Sequence, residues 1–178
     1  MTYSIEEHKH RFAAWAAGSA ASVNGCRFKV EQGKEILEAI GLQQLLASPE
    51  CLPPTDEIDE AHRRWRIGII ETARLRGFCF THGVAAKLIN IYLKAGFACG
   101  GYHEHERVCA LHPPVDSLLL DELYSQNVGD FRAVWNEARQ ARWSKFNSEQ
   151  YEKVVRHIRL ALQSKPLWTV EKYWRGYQ

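Results

Sequence analysis

From Val84 to Ala95 nearly every position is apolar, and the exceptions, Lys87, Asn90 and Lys94, fall at i, i+3 and i+7. That spacing predicts a helix buried on most sides with one polar stripe, which either skirts the surface or lines a cleft. Upstream, Ile58, Ala61, Trp65, Ile69 and Thr72 recur at helical spacing and predict a long helix. Thr55 or Asp56 suits its N-cap, and the nearby acidic residues suit its positive end. Arg63, Arg64, Arg66, Arg74 and Arg76 occupy its other sides, the first three reading as a solvated face, and Gly77 is placed to end it. Only Phe78-Cys79-Phe80-Thr81-His82 separates the two segments, which predicts a tight helical hairpin closed by Gly83.

The remaining pattern is helical too. Residues from about Ser4 to Ala17 predict a helix with Phe12, Ala13, Trp15 and Ala16 inward, broken at Gly18. A second helix is expected from about Val30 to Ala47, followed by a loop through Pro49, Pro53 and Pro54 that no helix could continue through. Gly96 to Pro114 reads as irregular, after which Asp116 stands where an N-cap belongs, ahead of Ser117-Leu118-Leu119-Leu120. Asn147 with Gln150 forms a capping-box pattern before a stripe of Tyr151, Val154, Val155, Ile158 and Leu162. A last short helix is expected from about Pro166 to Tyr177. Period-2 alternation is scarce, so the fold class is all-α, a compact helical domain.

Composition narrows the class without choosing a function. A chain of 178 residues with 46% hydrophobic and 25% charged residues suits one globular domain over 1–178. No apolar run reaches membrane-spanning length, and Met1-Thr2-Tyr3-Ser4 leads into charged residues, so neither a leader nor an anchor is expected. Five cysteines, odd in number and without a C-x-x-C pair, point to free thiols in a reducing compartment, cytoplasmic or nuclear. Charge is uneven. Residues 1–60 carry 5 Lys/Arg against 10 Asp/Glu, while the remainder carries 18 against 11. A basic larger part is compatible with a polyanion partner.

The residues that carry chemistry are Lys87, at the start of a helix after a hairpin, and Asp116, capping a later helix after Pro113-Pro114-Val115. A poorly solvated lysine loses part of its preference for the charged form and becomes a usable amine nucleophile. In the order of these pieces, Gly83-Val84-Ala85-Ala86-Lys87 and then Pro114-Val115-Asp116, the chain resembles the helix-hairpin-helix DNA glycosylases, especially the 8-oxoguanine DNA glycosylase branch. The resemblance covers about residues 56–125. His82 stands where the family usually has proline, and Ala85 where it has a second glycine. The 29 positions between Lys87 and Asp116 are more than usual, with Gly96–His112 as the insertion.

The resemblance implies a helix-hairpin-helix motif and an activity on double-stranded DNA whose modified base, by default an oxidised purine such as 8-oxoguanine, is turned out of the stack. It gives Lys87 the role of nucleophile at C1′, forming a Schiff base from which strand nicking can follow, and Asp116 that of stabilising the positive sugar. Backbone N–H groups around His82, Gly83, Val84 and Ala85 would hold a phosphate, with Arg74 or Arg76 nearby and a structural monovalent cation at the hairpin backbone. Candidates for the wall on which the base stacks are Trp168, Trp174, Phe12 and Trp15. His103, His105 and His112 lack a fixed ligand spacing, so no catalytic metal is expected. The alternative function is a non-catalytic helix-hairpin-helix module that binds DNA or a protein.

Overall fold

The computed structural model describes residues 3–177; Met1 and Thr2, part of the stretch read as lacking a leader, lie outside the described residues. Among the described residues the fold is all-α, with no strand and one isolated bridge between Val23 and Cys26. No described helix is long and apolar enough to cross a membrane. The apolar run at Val84 becomes α5 (His82–Leu93), in which ten of 12 residues are buried, so it belongs to the interior rather than to a face. Thr81 caps it: Oγ1 accepts from the Val84 N–H at 3.1 Å and donates to the Ser144 carbonyl at 2.9 Å.

Two hydrophobic cores meet on α5. On one side pack α1 (Ile5–Ala21), α2 (Val30–Ala39), the single turn α3 (Leu42–Leu45) and α4 (Ile58–Leu75). On the other lie α7 (Ser117–Ser125), α8 (Arg132–Ala141) and α9 (Ser148–Leu162), around Trp135, Leu119, Tyr151 and Ile158, with Ala86 of α5 reaching into them. A π-helical stretch (Lys94–Tyr102) continues α5, and the turn α6 (Glu106–Cys109) leads into the strap 112–116. Asp116 and Asn147 cap α7 and α9 as their positions predict, and the Asn147–Gln150 capping box is formed.

Several boundaries and faces differ from the pattern. The first helix runs through Gly18, because that glycine faces the Val30 backbone, where a Cβ would lie 3.1 Å from Val30 Cα. Its inward face is Ala13, Ala14, Ala17 and Ala21, whereas Phe12 and Trp15 are 54% and 56% exposed. Alanine wins the inner face because it lets α1 approach α5 closely. The second helix stops at Ala39, and Gly41 takes φ 77°. The segment after Ala95 stays helical in π form. Helix α8 was not predicted at all. The long helix begins at Ile58, and Arg66, expected in solvent, is fully buried against Tyr151, with the Glu152 carboxylate as its ion-pair partner at 2.6 Å.

Behind the strap runs a buried polar network whose hydrogen bonds can be given consistent directions. Asn90 Nδ2 donates to the Pro113 carbonyl at 2.9 Å and to Tyr151 Oη at 3.0 Å, leaving Oδ1 to accept from His62 Nε2 at 2.7 Å. Tyr151 then donates to His112 Nδ1 at 3.0 Å, and His112 Nε2 donates to Asp59 Oδ1 at 2.8 Å. Neutral imidazoles suit this arrangement. Burial is the main cause holding each below its usual titration range. The network ties α4, α5 and α9 to the strap.

The junction at the start of α5 has no spare room. A Cβ at Gly83 would lie 1.7 Å from the Trp143 carbonyl oxygen, whereas one at Gly100 would meet nothing nearer than 3.9 Å. Gly83→Ala is therefore expected to destabilise by about 3 kcal/mol or more and to lower Tm by roughly 6–12 °C. Gly100→Ala should change stability by less than about 0.5 kcal/mol. Thermal unfolding of the two variants checks this, and equal midpoints would refute the crowding at Gly83.

Candidate functional site

Lys87 lies on the second turn of α5 and Asp116 at the N-cap of α7, and the fold brings them into contact. Lys87 Nζ donates to Asp116 Oδ2 at 2.7 Å, with the lysine side chain 6% exposed and the carboxylate 17%. The same Oδ2 accepts from the Trp174 indole N–H at 3.0 Å, and Oδ1 accepts from the Leu119 N–H at 2.9 Å. The carboxylate is thereby fixed in direction by three donors from three elements. The Lys87 ammonium also sits 5.2 Å from the centre of the Trp143 ring, an aromatic face that favours a cation.

The pair forms part of the lining of a half-open cavity of about 490 Å³. Phe12, Ala16 and Ala20 of α1 make one apolar wall, and Ile91 and Ala95 make another. A second ion pair, Lys94 with Glu171, also lines it, the glutamate coming from the 3-10 segment Leu167–Tyr173. A concave apolar space of this size with a few converging polar groups has the form of a small-molecule or cofactor site.

Electrostatics set the pair apart. Burial lowers the basicity of the Lys87 amine by more than the charge and hydrogen bond of Asp116 raise it, so its pKa falls below that of an ordinary lysine. Burial also pushes the Asp116 carboxyl upward, but the Lys87 charge and the donors from Lys87, Leu119 and Trp174 together outweigh it, and the group lies below its usual range. The two directions are compatible: the carboxylate keeps its charge easily, and the amine gives up its proton more readily than a free lysine.

The other sequence candidates divide. Phe12 and Trp174 line the cavity. Trp15 is packed beside Phe12, at 5.8 Å between rings, but points into solvent. Trp168 is not part of the lining, and its indole N–H donates to the His103 carbonyl at 3.0 Å. The hairpin backbone does not form the expected phosphate cradle. Gly83, Val84 and Ala85 are buried, and their N–H groups are taken by the Phe146 carbonyl, Thr81 Oγ1 and the Thr81 carbonyl. His82 is half-buried, with Nδ1 3.4 Å from the Arg66 guanidinium. Arg76 is paired with Glu35, and Arg74 is exposed on the last turn of α4. With their amides used internally, Gly83, Val84 and Ala85 have none to offer to a phosphate.

Sequence reasoning missed Trp143 and Glu171. Lys94 shares the polar stripe with Lys87, and of the two readings of that stripe the cleft lining is the one the fold adopts. Glu171 and Trp143 carry no local signal, since only chain packing brings them there. Among the described residues no group of three or more His, Cys, Asp or Glu side chains is placed to hold a metal ion. His112 is engaged with Asp59 and Tyr151, and His105 Nδ1 accepts from the Arg107 N–H at 3.2 Å.

The depressed lysine pKa has a measurable sign. Between its folded value and the ordinary 10.5 the unfolded chain binds the extra proton, so this group's contribution to stability rises with pH across that window. After reductive methylation with labelled formaldehyde, one dimethyl-lysine NMR signal, absent in Lys87→Arg, is expected to titrate below the others. Asp116→Asn should move it lower still, because the carboxylate supports the charged amine. A Lys87 signal titrating with the bulk of the lysines would refute the burial argument. No protein-family model, curated protein or solved structure matches this chain.

Proposed function

We propose that this protein is a DNA glycosylase of the lyase type, which removes a modified base from double-stranded DNA through a Schiff base on Lys87. The observation that carries the reading is the 2.7 Å contact between Lys87 and Asp116 beside an apolar cavity. The two residues arrive there from opposite ends of a 29-position separation. The resemblance to helix-hairpin-helix glycosylases rests on the same two residues.

In this reading the target nucleotide leaves the stack and its base enters the cavity, between the α1 wall and α5. Lys87 gives up its proton, and its free amine attacks C1′ as the bond from C1′ to the base breaks. The electron pair of that bond goes to the departing base, which takes up a proton. Asp116, its two oxygens fixed by three donors, holds negative charge beside the sugar as positive charge develops there. Opening of the sugar then gives the imine that borohydride can reduce, and an imine also permits loss of the 3′ phosphate by β-elimination. An oxidised purine such as 8-oxoguanine is the default base on the resemblance.

The DNA backbone needs a partner other than the hairpin amides. Beside Asp116 lies a second hollow of about 270 Å³, lined among others by Ser117, Arg139, Arg142 and Ser144. Arg139 is paired with Asp121 and leans on Tyr124, while Arg142 flanks Trp143, the residue over Lys87. A phosphate flanking an extruded nucleotide would find hydroxyl and guanidinium donors there. The excess of basic residues after position 60 supports the same reading.

The test is covalent trapping. Duplexes carrying an abasic site, or 8-oxoguanine opposite cytosine, are incubated with the protein and borohydride, and the adduct is measured on a denaturing gel. Lys87→Ala is expected to abolish the adduct and Asp116→Asn to slow it about a hundredfold or more. Lys153→Ala, at a surface lysine paired with Glu137, should leave it intact. No adduct on either duplex would instead favour a non-catalytic module that holds DNA or a protein.

Affinity gives an independent check. Arg142→Ala is expected to weaken binding alike on any sequence and to reduce the salt-dependence slope by about one. An unchanged slope in a fluorescence-anisotropy titration would remove Arg142 from the phosphate contacts.

A further inference from the structure

We infer that the Lys94–Glu171 ion pair reads the edge of the extruded base, the lysine donating to a ring acceptor and the carboxylate accepting from the neighbouring N–H. The inference rests on the glycosylase reading and goes beyond it, because neither residue touches the Lys87–Asp116 contact. Lys94 lies two turns beyond Lys87 on the same stripe, at the start of the π-helical stretch, and Glu171 faces it from the segment that leads into Trp174. Lys87 and Asp116 can act on a sugar whether or not it still carries a base. Telling one base from another needs a group that meets the base edge.

The arrangement suits that task for three reasons. First, the walls from Phe12, Ala16, Ala20, Ile91 and Ala95 are apolar and supply surface for the faces of a flat ring, but no hydrogen bonds to its edge. Second, besides the reacting pair, the only charged groups lining this cavity among the described residues are Lys94, which can only donate, and Glu171, which as a carboxylate can only accept. Side by side they match an edge on which an acceptor neighbours an N–H. Third, the two satisfy each other while the cavity holds no base, so neither is left buried and unpaired, and base entry exchanges one set of hydrogen bonds for another. Their side chains are 30% and 19% exposed, which leaves them open to the cavity rather than sealed in the core. A flat ring lacking such an edge would break the pair and return nothing, the situation in which polar sites discriminate most strongly.

The competing role for the pair is a clamp that merely fastens the C-terminal segment. The experiment separates the two. Borohydride trapping at an abasic duplex is run with and without free nucleobase at millimolar concentration: guanine, 8-oxoguanine, adenine, cytosine or uracil. Each protein is scored by the ratio of its own two rates. Quinoline, flat but without an N–H donor, serves as the control ligand. For the wild-type protein at least one base is expected to slow trapping, and more strongly than quinoline. In Glu171→Gln and Lys94→Met that base should need about tenfold more to compete.

The reversed pair, Lys94→Glu with Glu171→Lys, keeps an ion pair but exchanges donor and acceptor. It should hold the segment while failing to recover competition by the same base. Recovery in the reversed pair would overturn the inference in favour of a clamp. So would equal competition by quinoline, or no competition by any base against robust wild-type trapping. Absence of wild-type trapping is a different failure, that of the glycosylase reading itself.

Discussion

A lysine ammonium taken out of water has to be answered by a carboxylate at contact, and the placing of Lys87 and Asp116 makes that demand on the whole fold. Burying one of the two alone would cost several kcal/mol, whereas the pair with its remaining lone pairs satisfied is tolerated. Satisfaction here is complete for the carboxylate, which accepts from Lys87, Trp174 and Leu119. Those donors belong to α5, the C-terminal segment and α7. Each must be held by its own packing before the ion pair can form.

The buried network behind the strap supplies much of that holding. Asn90 sits one turn beyond Lys87 on α5 and binds the Pro113 carbonyl, three residues before Asp116. The two contacts run side by side between the same helix and the same strap. Tyr151, His112 and His62 complete the Asn90 hydrogen bonds within a region where unpaired polar groups are expensive. Residual imperfections remain: His62 Nδ1 and Arg66 Nε are buried without a hydrogen-bond partner. An acceptor lone pair on a neutral ring is the less costly of the two. The Arg66 guanidinium is compensated through its other nitrogens and by the Tyr151 face, 4.5 Å away.

The cavity follows from the same packing. Alanines at positions 13, 14, 17 and 21 bring α1 against α5, while Ala16 and Ala20, on its neighbouring face, leave open space over Lys87. Small residues thus do two opposite things on one helix, depending on which face they occupy. The close junction at Gly83 has a functional consequence too. The Trp143 carbonyl that crowds it belongs to the residue whose ring lies over the Lys87 ammonium. Trading the hairpin amides for this internal contact removes a surface that could grip phosphate and gives a wall to the lysine.

Much of the local structure was legible in the chain. Asp116 and Asn147 cap helices by a side-chain oxygen reaching an N–H three residues on, an interaction that needs no tertiary partner. The apolar runs at α5 and α9 fixed their own faces for the same reason, since hydrophobic periodicity is a local property. What the chain could not disclose by itself was which aromatic faces inward. Phe12 and Trp15 have the composition of core residues yet stand exposed, because alanines gave α1 a closer fit to its neighbour. Arg66 was unreadable as a buried group, since its partner Glu152 lies 86 positions away. Glu171 reached the cavity for the same kind of reason. Long-range pairs are decided by how helices stack, and the pattern within any one helix says nothing about them.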